Sequence, residues 1–129
     1  MEDLIENDIV KIFLSNGIIF AAYQPNFVMD IIAAKKTVEY RKVISKGNSY
    51  PLLADIRNLK AATDEARDWL GSAPESHEYL LATAVLTNNP IQNLLANFYL
   101  KFSKPLSPTQ LFTNQEKAIR WLKLFAQQN

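Results

Sequence analysis

Strand-like and helix-like segments alternate along this chain, and that alternation limits the folds it can adopt. Short apolar runs rich in β-branched or aromatic residues occur at Ile9–Leu14, Ile18–Tyr23 and Tyr50–Ile56. Asn16-Gly17 lies between the first two runs, and both residues tolerate the positive φ angles of a tight hairpin turn. The chain is therefore expected to open with a β-hairpin.

The segments after the hairpin have the spacing of amphipathic helices. Residues 29–45 are good helix formers and place Ile31, Ala34 and Val38 on one stripe. Thr63 is positioned to cap a second helix, in which Asp64 complements the helix dipole. The apolar face of that helix comprises Ala66, Trp69 and Leu70.

Stop and start signals then divide the middle and the end of the chain. Gly71 predicts the end of the second helix, and Ser72–Glu75 resembles a capping box that begins one or two further turns. Leu80–Leu86 is typical of a buried strand, although periodicity alone does not separate it from a helix. The remaining predicted elements are a helix over Asn89–Lys101, an edge strand over Thr109–Phe112 and a last helix that starts in the capping box Thr113–Glu116.

These elements predict one α/β domain over residues 1–129. Strands that alternate with helices indicate a single-layer, mainly parallel β-sheet with helices packed on it, to which the N-terminal hairpin adds an antiparallel strand. A chain of 129 residues suits one domain, and the sequence contains no repeat or linker that would separate a second one.

Composition excludes several classes of function. A formal net charge of +1 provides no basic surface for nucleic acid or for anionic membranes. The absence of cysteine excludes disulfides, thiol catalysis and cysteine-ligated metals. The three glycines are isolated, so the sequence contains no glycine-rich phosphate-binding loop. We therefore predict no cofactor and no nucleic-acid partner.

The amino terminus and the apolar runs bear on localisation. Residues 1–8 are acidic, unlike the start of a secretory or transit peptide, and the longest apolar runs are too short to span a bilayer. We expect no transmembrane segment and a cytoplasmic protein.

His77 is the single histidine of the chain. A metal site normally gathers several histidine or cysteine ligands, and no Gly-x-Ser-x-Gly motif presents a serine for a catalytic triad. We interpret His77 as a surface residue between Glu75 and Glu78. The sequence predicts no bound metal and no enzymatic activity.

The carboxyl end of the Tyr50–Ile56 strand is the predicted working surface, because ligands and partners dock at strand ends in α/β proteins. Asp55 either accepts hydrogen bonds from a ligand or partner, or anchors the following loop and pairs with Arg57. Thr63 is either a plain helix cap or a phosphorylation site. The predicted surface comprises Asp55, Arg57, Asn58, Thr63 and Asp64.

Two helices carry further polar residues of interest. Arg41 continues the buried stripe of the first helix near the strand amino ends, where a salt bridge or a snorkelling guanidinium is expected. The Asn89–Lys101 helix is apolar on more than one side. Its residues Asn93, Asn97 and Tyr99 are a candidate dimer or partner contact.

Two phrases carry a resemblance to a known family. Ser-Tyr-Pro-Leu-Leu-Ala-Asp-Ile-Arg at Ser49–Arg57 and Pro-Thr-Gln-Leu-Phe-Thr-Asn-Gln-Glu-Lys-Ala-Ile-Arg-Trp-Leu at Pro108–Leu122 look like small stand-alone bacterial proteins of unknown function. Those proteins are described as STAS-like, and the order of elements also resembles the STAS domain, the fold of anti-sigma-factor antagonists. The resemblance covers nearly the whole chain.

The resemblance implies a non-enzymatic role. In such antagonists a strand ending in aspartate leads to an Asp-Ser-Ser/Thr-Gly loop, whose serine is phosphorylated to control partner binding. By position Asp55 matches that aspartate, and Thr63-Asp64 lies where the motif would be, without its serine and glycine. Some relatives of the fold bind nucleotides or lipids in a pocket beside the following helix.

Two functional hypotheses follow. The first is a protein-interaction or regulatory module, self-associated or partner-bound through residues 55–70 and the Asn89–Lys101 helix. The second is a binding protein for a small molecule or lipid, with an apolar pocket beside the Thr63–Leu70 helix. The expected pocket residues are Trp69, Tyr79 and Phe98, with Arg57 or Asn58 at the mouth.

Overall fold

A computed structural model describes residues 4–88 and 106–126 of the chain. The strands are β1 (Leu4–Glu6), β2 (Val10–Ser15), β3 (Ile18–Tyr23), β4 (Val28–Met29), β5 (Tyr50–Asp55), β6 (Ala61–Ala62), β7 (Leu80–Leu86) and β8 (Thr109–Phe112). The helices are α1 (Ile31–Ser45), α2 (Asp64–Ser72), α3 (Pro74–His77) and α4 (Gln115–Ala126). The predicted Asn89–Lys101 helix lies outside the described residues.

The main sheet has six strands in the order β1-β2-β3-β5-β7-β8, and β4 and β6 form a separate parallel pair. Parallel pairing joins β3 to β5, β5 to β7 and β7 to β8. The antiparallel pairs are β1 with β2 and β2 with β3. The predicted mainly parallel sheet is therefore confirmed, whereas the three short strands β1, β4 and β6 were not foreseen.

The opening hairpin has the predicted turn. Ser15 pairs with Ile18, and between them Asn16 and Gly17 have φ angles of 52° and 79°. Both angles lie in the left-handed region that a two-residue type I′ turn requires. This turn returns the chain directly into β3, which becomes the first strand of the parallel part of the sheet.

Helix α4 covers one face of the sheet. Successive residues of a strand point to opposite faces, and on the α4 side Leu53 of β5 and Ala84 of β7 are fully buried. They pack with Ala118 and Leu122 of α4 in one continuous core. This face is therefore closed by a well-packed helix.

Helices α1 and α2 lie on the opposite face and pack against each other. Helix α1 contacts β2 at the antiparallel side of the sheet, where Ile12 and Ala34 are fully buried. Toward the parallel side the same face of the sheet is only half-buried. The half-buried residues are Leu52, Ala54, Thr83, Val85, Thr109 and Leu111.

The helix boundaries predicted from the sequence are confirmed at one cap and are wrong at three sites. Thr63 caps α2 as predicted, since its hydroxyl accepts the Ala66 N–H at 3.1 Å. The predicted stop at Gly71 is wrong, because α2 continues to Ser72 and ends where Ala73 is extended at φ −75° and ψ 128°. The residue before a proline is biased toward the extended region, so Pro74 sets this helix end.

The two predicted capping boxes are also corrected. The Ser72 hydroxyl donates to the Asp68 carbonyl at 2.7 Å, and α3 begins at Pro74 after Ala73, which provides no side-chain cap. At the start of α4, the side chain of Asn114 accepts the Lys117 N–H at 2.9 Å. Asn114 therefore caps α4 in place of Thr113, which shifts the helix start by one residue.

Candidate ligand cavity

A cavity of about 200 Å³ lies between the sheet and helices α1, α2 and α3. Its floor is a row of side chains that faces away from α4. In this row Ala21 pairs with Ala54, Ala54 with Val85 and Val85 with Leu111. The two adjacent alanines in the row, Ala21 and Ala54, leave space that larger side chains would fill. The cavity therefore arises from small residues placed side by side on neighbouring strands.

The walls combine aliphatic and polar side chains. Helix α1 contributes Val38 and Arg41, helix α2 contributes Leu70, and α3 contributes His77. At the carboxyl end of the strands the cavity is bounded by four apolar residues, Met29, Ile56, Leu59 and Ala62. Among the described lining residues no side chain is acidic.

Arg41 forms the most unusual part of the wall. Its side chain is 2% exposed. Nη1 donates to the carbonyl of Glu78 at 2.9 Å and, more weakly, to that of Tyr79 at 3.5 Å, while Nη2 donates to the Ser76 carbonyl at 3.0 Å. These carbonyls precede β7, so Arg41 lies near the strand amino ends as predicted. The expected salt bridge or snorkelling guanidinium is wrong, since Arg41 is buried against backbone carbonyls.

The electrostatics of Arg41 follow from that burial. Removal from water lowers the pKa of Arg41 to about 10, although the nearby Tyr23 and Glu78 act in the opposite direction. The guanidinium is therefore still charged at neutral pH. The Glu78 carboxylate pairs with Lys42, and within the described chain no carboxylate is within ion-pair distance of Arg41.

Tyr23 brings a hydroxyl to the same cavity. Burial raises the pKa of Tyr23 to about 12, and the Thr37 side chain and the charge of Arg41 partly offset that effect. Thr37 lies one helical turn before Arg41 and also lines the cavity. The phenol is thus a neutral hydrogen-bonding group at neutral pH, and it is close enough to Arg41 for the guanidinium charge to affect its ionisation.

His77 is not the surface residue that the sequence suggested. It is half-buried, lines the cavity and joins two segments. Its Nε2 lies 2.9 Å from the Gly71 carbonyl and its Nδ1 lies 2.6 Å from the Ser107 hydroxyl. Because a carbonyl only accepts, Nε2 carries a proton, and in the neutral ring Nδ1 accepts from Ser107.

The five residues of the predicted strand-end surface lie in two separate groups. Asp55 holds Arg57 in a two-pronged ion pair with distances of 3.0 Å and 2.8 Å, and it also accepts the Arg57 N–H at 3.1 Å. The same guanidinium lies 3.4 Å from Gln115 at the start of α4. Asp55 therefore belongs to the α4 side of the sheet and anchors its own loop.

The second group lies at the start of α2. Asp64 pairs with Arg67 on the same helix, and Thr63 is occupied as the cap. Asn58 is exposed in the loop, where its carbonyl accepts the Asn26 N–H at 3.0 Å. The interface residues Asn93, Asn97 and Tyr99, and the pocket residue Phe98, lie outside the described residues.

The pocket beside the second helix exists, but its lining differs from the prediction. The ring of Trp69 lies under the Lys35 ammonium, 5.7 Å from the ring centroid, and Tyr79 is 42% exposed. Neither residue lines the cavity, and Arg57 and Asn58 do not either. One sequence signal for this cavity was available: Arg41 interrupts the apolar stripe of a helix with a charged residue.

Across residues 4–88 and 106–126, no cluster of three or more histidine or acidic side chains could hold a metal ion. No helix in those segments combines the length and the apolar character needed to cross a membrane.

Comparison with known proteins places the fold. A family model for a domain of unknown function (DUF7793) matches residues 12–126. The chain is similar to an uncharacterized DUF3478-family protein with a SpoIIAA-like fold from Shewanella loihica PV-4, at TM-score 0.61 and 15% identity over 88% of this chain and 91% of that one. A protein of unknown function from Arthrobacter sp. FB24 matches at TM-score 0.34 and 20% identity, over 88% of this chain and 98% of that one.

No curated protein matches the chain. The likeness to the Shewanella protein confirms the predicted STAS-like fold and the mixed α/β class.

Proposed function

This chain belongs to the DUF7793 family, a domain of unknown function, and we propose that it is a non-enzymatic binding protein for a small, largely apolar molecule. The observation that supports the proposal is the cavity of about 200 Å³ above the Ala21–Ala54–Val85–Leu111 row. Aliphatic side chains form most of its surface. A binding site is usually such a concave apolar space with a few polar groups that fix orientation.

The volume bounds the size of the ligand. An apolar cavity of about 150 Å³ in another protein stays dry and takes up benzene. Drug-sized ligands occupy pockets of about 300 to 1,000 Å³. A cavity of about 200 Å³ therefore suits a single substituted ring or a short alkyl chain.

Affinity should depend on how much of the apolar wall the ligand covers. Each buried methylene contributes about 0.8 kcal/mol, which corresponds to about a four-fold gain in affinity. Association also costs at least about 4 kcal/mol of lost freedom. Affinity should therefore rise with the length of the alkyl chain until the cavity is full.

A series of straight-chain alcohols tests the proposal. We expect hexanol, heptanol and octanol to bind in titrations followed by protein NMR chemical shifts, with about a four-fold gain in affinity per added methylene until the cavity is full. Native mass spectrometry of gently purified protein shows first whether the cavity is already occupied. Absence of saturable binding by every alcohol, in protein shown to be free of ligand, would refute the proposal.

A protein-interaction or regulatory module is the second candidate. The exposed carboxyl edge of the sheet supports it, because Arg57 and Asn58 are exposed and the Asp64 side chain is 95% exposed. Affinity capture from the source cell with the wild type and with Arg57→Glu/Asp64→Lys tests it. A partner retained by the wild type and lost by the variant supports this role, and equal capture by both contradicts it.

A further inference from the structure

The charge balance of the cavity indicates the class of its ligand. Arg41 is 2% exposed and its three hydrogen bonds all go to neutral carbonyls. A buried charge is costly unless an opposite charge or several good hydrogen bonds compensate it. Within the described residues the hydrogen bonds of Arg41 go to carbonyls; the Glu78 carboxylate acts on its charge from a distance but pairs with Lys42, and no carboxylate forms an ion pair with Arg41.

The groups around Arg41 also favour an anion. Tyr23 and Thr37 line the cavity beside it and are almost fully buried, at 8% and 6% exposure. The Thr37 hydroxyl already donates to the Ala33 carbonyl at 2.9 Å, so the Tyr23 hydroxyl is the neutral group that can donate to an anionic oxygen. A guanidinium presents a planar set of N–H groups that matches the two oxygens of a carboxylate. One end of an otherwise apolar cavity thus holds donors and a positive charge.

We propose that the bound molecule is an amphipathic monocarboxylate whose carboxylate faces Arg41 and whose short apolar body lies along the Ala21–Ala54–Val85–Leu111 row. This inference rests on the proposed binding function and specifies its ligand class. A monoanion neutralises the single buried guanidinium. A dianionic alkyl phosphate would bring a second negative charge into the same space and leave it unbalanced.

Arg67 is the competing cation. It also lines the cavity, but it pairs with Asp64 on α2, and its side chain is 39% exposed. Its charge is therefore already compensated and partly in water. Arg67→Gln is consequently the matched control for a change at Arg41.

The test compares ligands that share one alkyl chain. Binding of octanoate, 1-octanol and octyl phosphate at pH 7 is measured by titrations followed by protein NMR chemical shifts. We expect octanoate to bind at least about ten-fold more tightly than octanol, as for a charge-assisted hydrogen bond, and more tightly than octyl phosphate. If none of the three binds, the proposed function itself fails. If octanol binds as well as octanoate, only the carboxylate inference fails, and if octyl phosphate binds most tightly the ligand class is wrong.

Variants then identify the cation. Arg41→Gln is expected to reduce octanoate affinity about ten-fold and leave octanol affinity unchanged, whereas Arg67→Gln keeps the preference for octanoate. Loss of the preference in Arg67→Gln and its retention in Arg41→Gln would overturn the assignment.

A measurement on the wild type determines the orientation of bound octanoate in the cavity, even if the Arg41→Gln variant does not fold. Leu80 lines the cavity near the Arg41 end, and Leu59 lies at the carboxyl ends of the strands. With bound octanoate, NMR should show nuclear Overhauser effects from the C2 protons to Leu80 and from the terminal methyl group to Leu59. The reversed pattern would overturn the proposal.

Discussion

Filling the cavity from its floor should stabilise the protein and block the ligand. Ala54 lies in the central strand β5, between Ala21 and Val85, and its side chain lines the cavity. In Ala54→Leu the three added carbons would contribute about 2.4 kcal/mol if they were fully buried. Because the site is half-buried and leucine loses about 0.5 to 1 kcal/mol of side-chain entropy, we expect a net gain of about 0.5 kcal/mol.

The neighbouring residue provides the matched control. Leu53 points to the opposite face and is buried in the α4 core. Leu53→Ala should lower the free energy of unfolding by about 2 to 5 kcal/mol, as for other large-to-small core changes. At temperatures where this variant stays folded, its affinity for octanol should equal that of the wild type.

Urea denaturation followed by circular dichroism measures both changes in stability, and titration with octanol followed by protein NMR chemical shifts measures binding. The reasoning predicts opposite signs of stability change at adjacent positions, together with loss of octanol binding only in Ala54→Leu. A loss of more than 1 kcal/mol in Ala54→Leu would show that the space above β5 is already filled, and would refute this account of the cavity.

Three further predictions concern caps, strain and ionisation. Thr63→Ala should cost about 1 kcal/mol in urea denaturation because the Ala66 N–H loses its acceptor, whereas Thr63→Ser should remain close to the wild type. Tyr79 has a φ of 59° and is 42% exposed; Tyr79→Gly should therefore raise the free energy of unfolding by up to about 1 kcal/mol, and a clear loss would contradict the assigned strain. The pKa of Tyr23 is about 12 in the folded protein against an ordinary value of 10.0, so its contribution to stability is complete below pH 10 and is lost as the pH rises through 12. Tyr23→Phe should remove that alkaline loss of stability, which is on the order of 2 kcal/mol, in urea titrations from pH 9 to 12. The lowered pKa of Arg41 has the opposite effect on stability in this pH range, but Arg41 is present in both the wild type and the variant.

Local chemistry explains which parts of the fold were predictable. The positive φ angles of Asn16 and Gly17 and the cap at Thr63 depend on residues that are adjacent or within one helical turn. The end of α2 also has a local cause, but two signals compete there. Pro74 determined the end and Gly71 did not.

The cavity could not be predicted in the same way, because it depends on strand register. Ala21 and Ala54 are both unremarkable alanines in the sequence, and they create a space only because β3 and β5 place them side by side. Register between parallel strands is set by packing over long sequence separations. The role of Arg41 likewise depends on carbonyls of residues 76–79, which the sequence alone does not bring near α1.

The two outermost described strands of the main sheet have a consequence for behaviour at high concentration. A sheet edge offers unpaired backbone groups to other molecules, and short edge strands limit that pairing. Here β1 has three residues and β8 has four, and Pro108 directly precedes β8. With a formal net charge of only +1 at pH 7, charge repulsion provides little protection against aggregation. Resistance to intermolecular strand addition therefore depends on the shortness of these edges, and insertions that lengthen β8 should promote fibril formation.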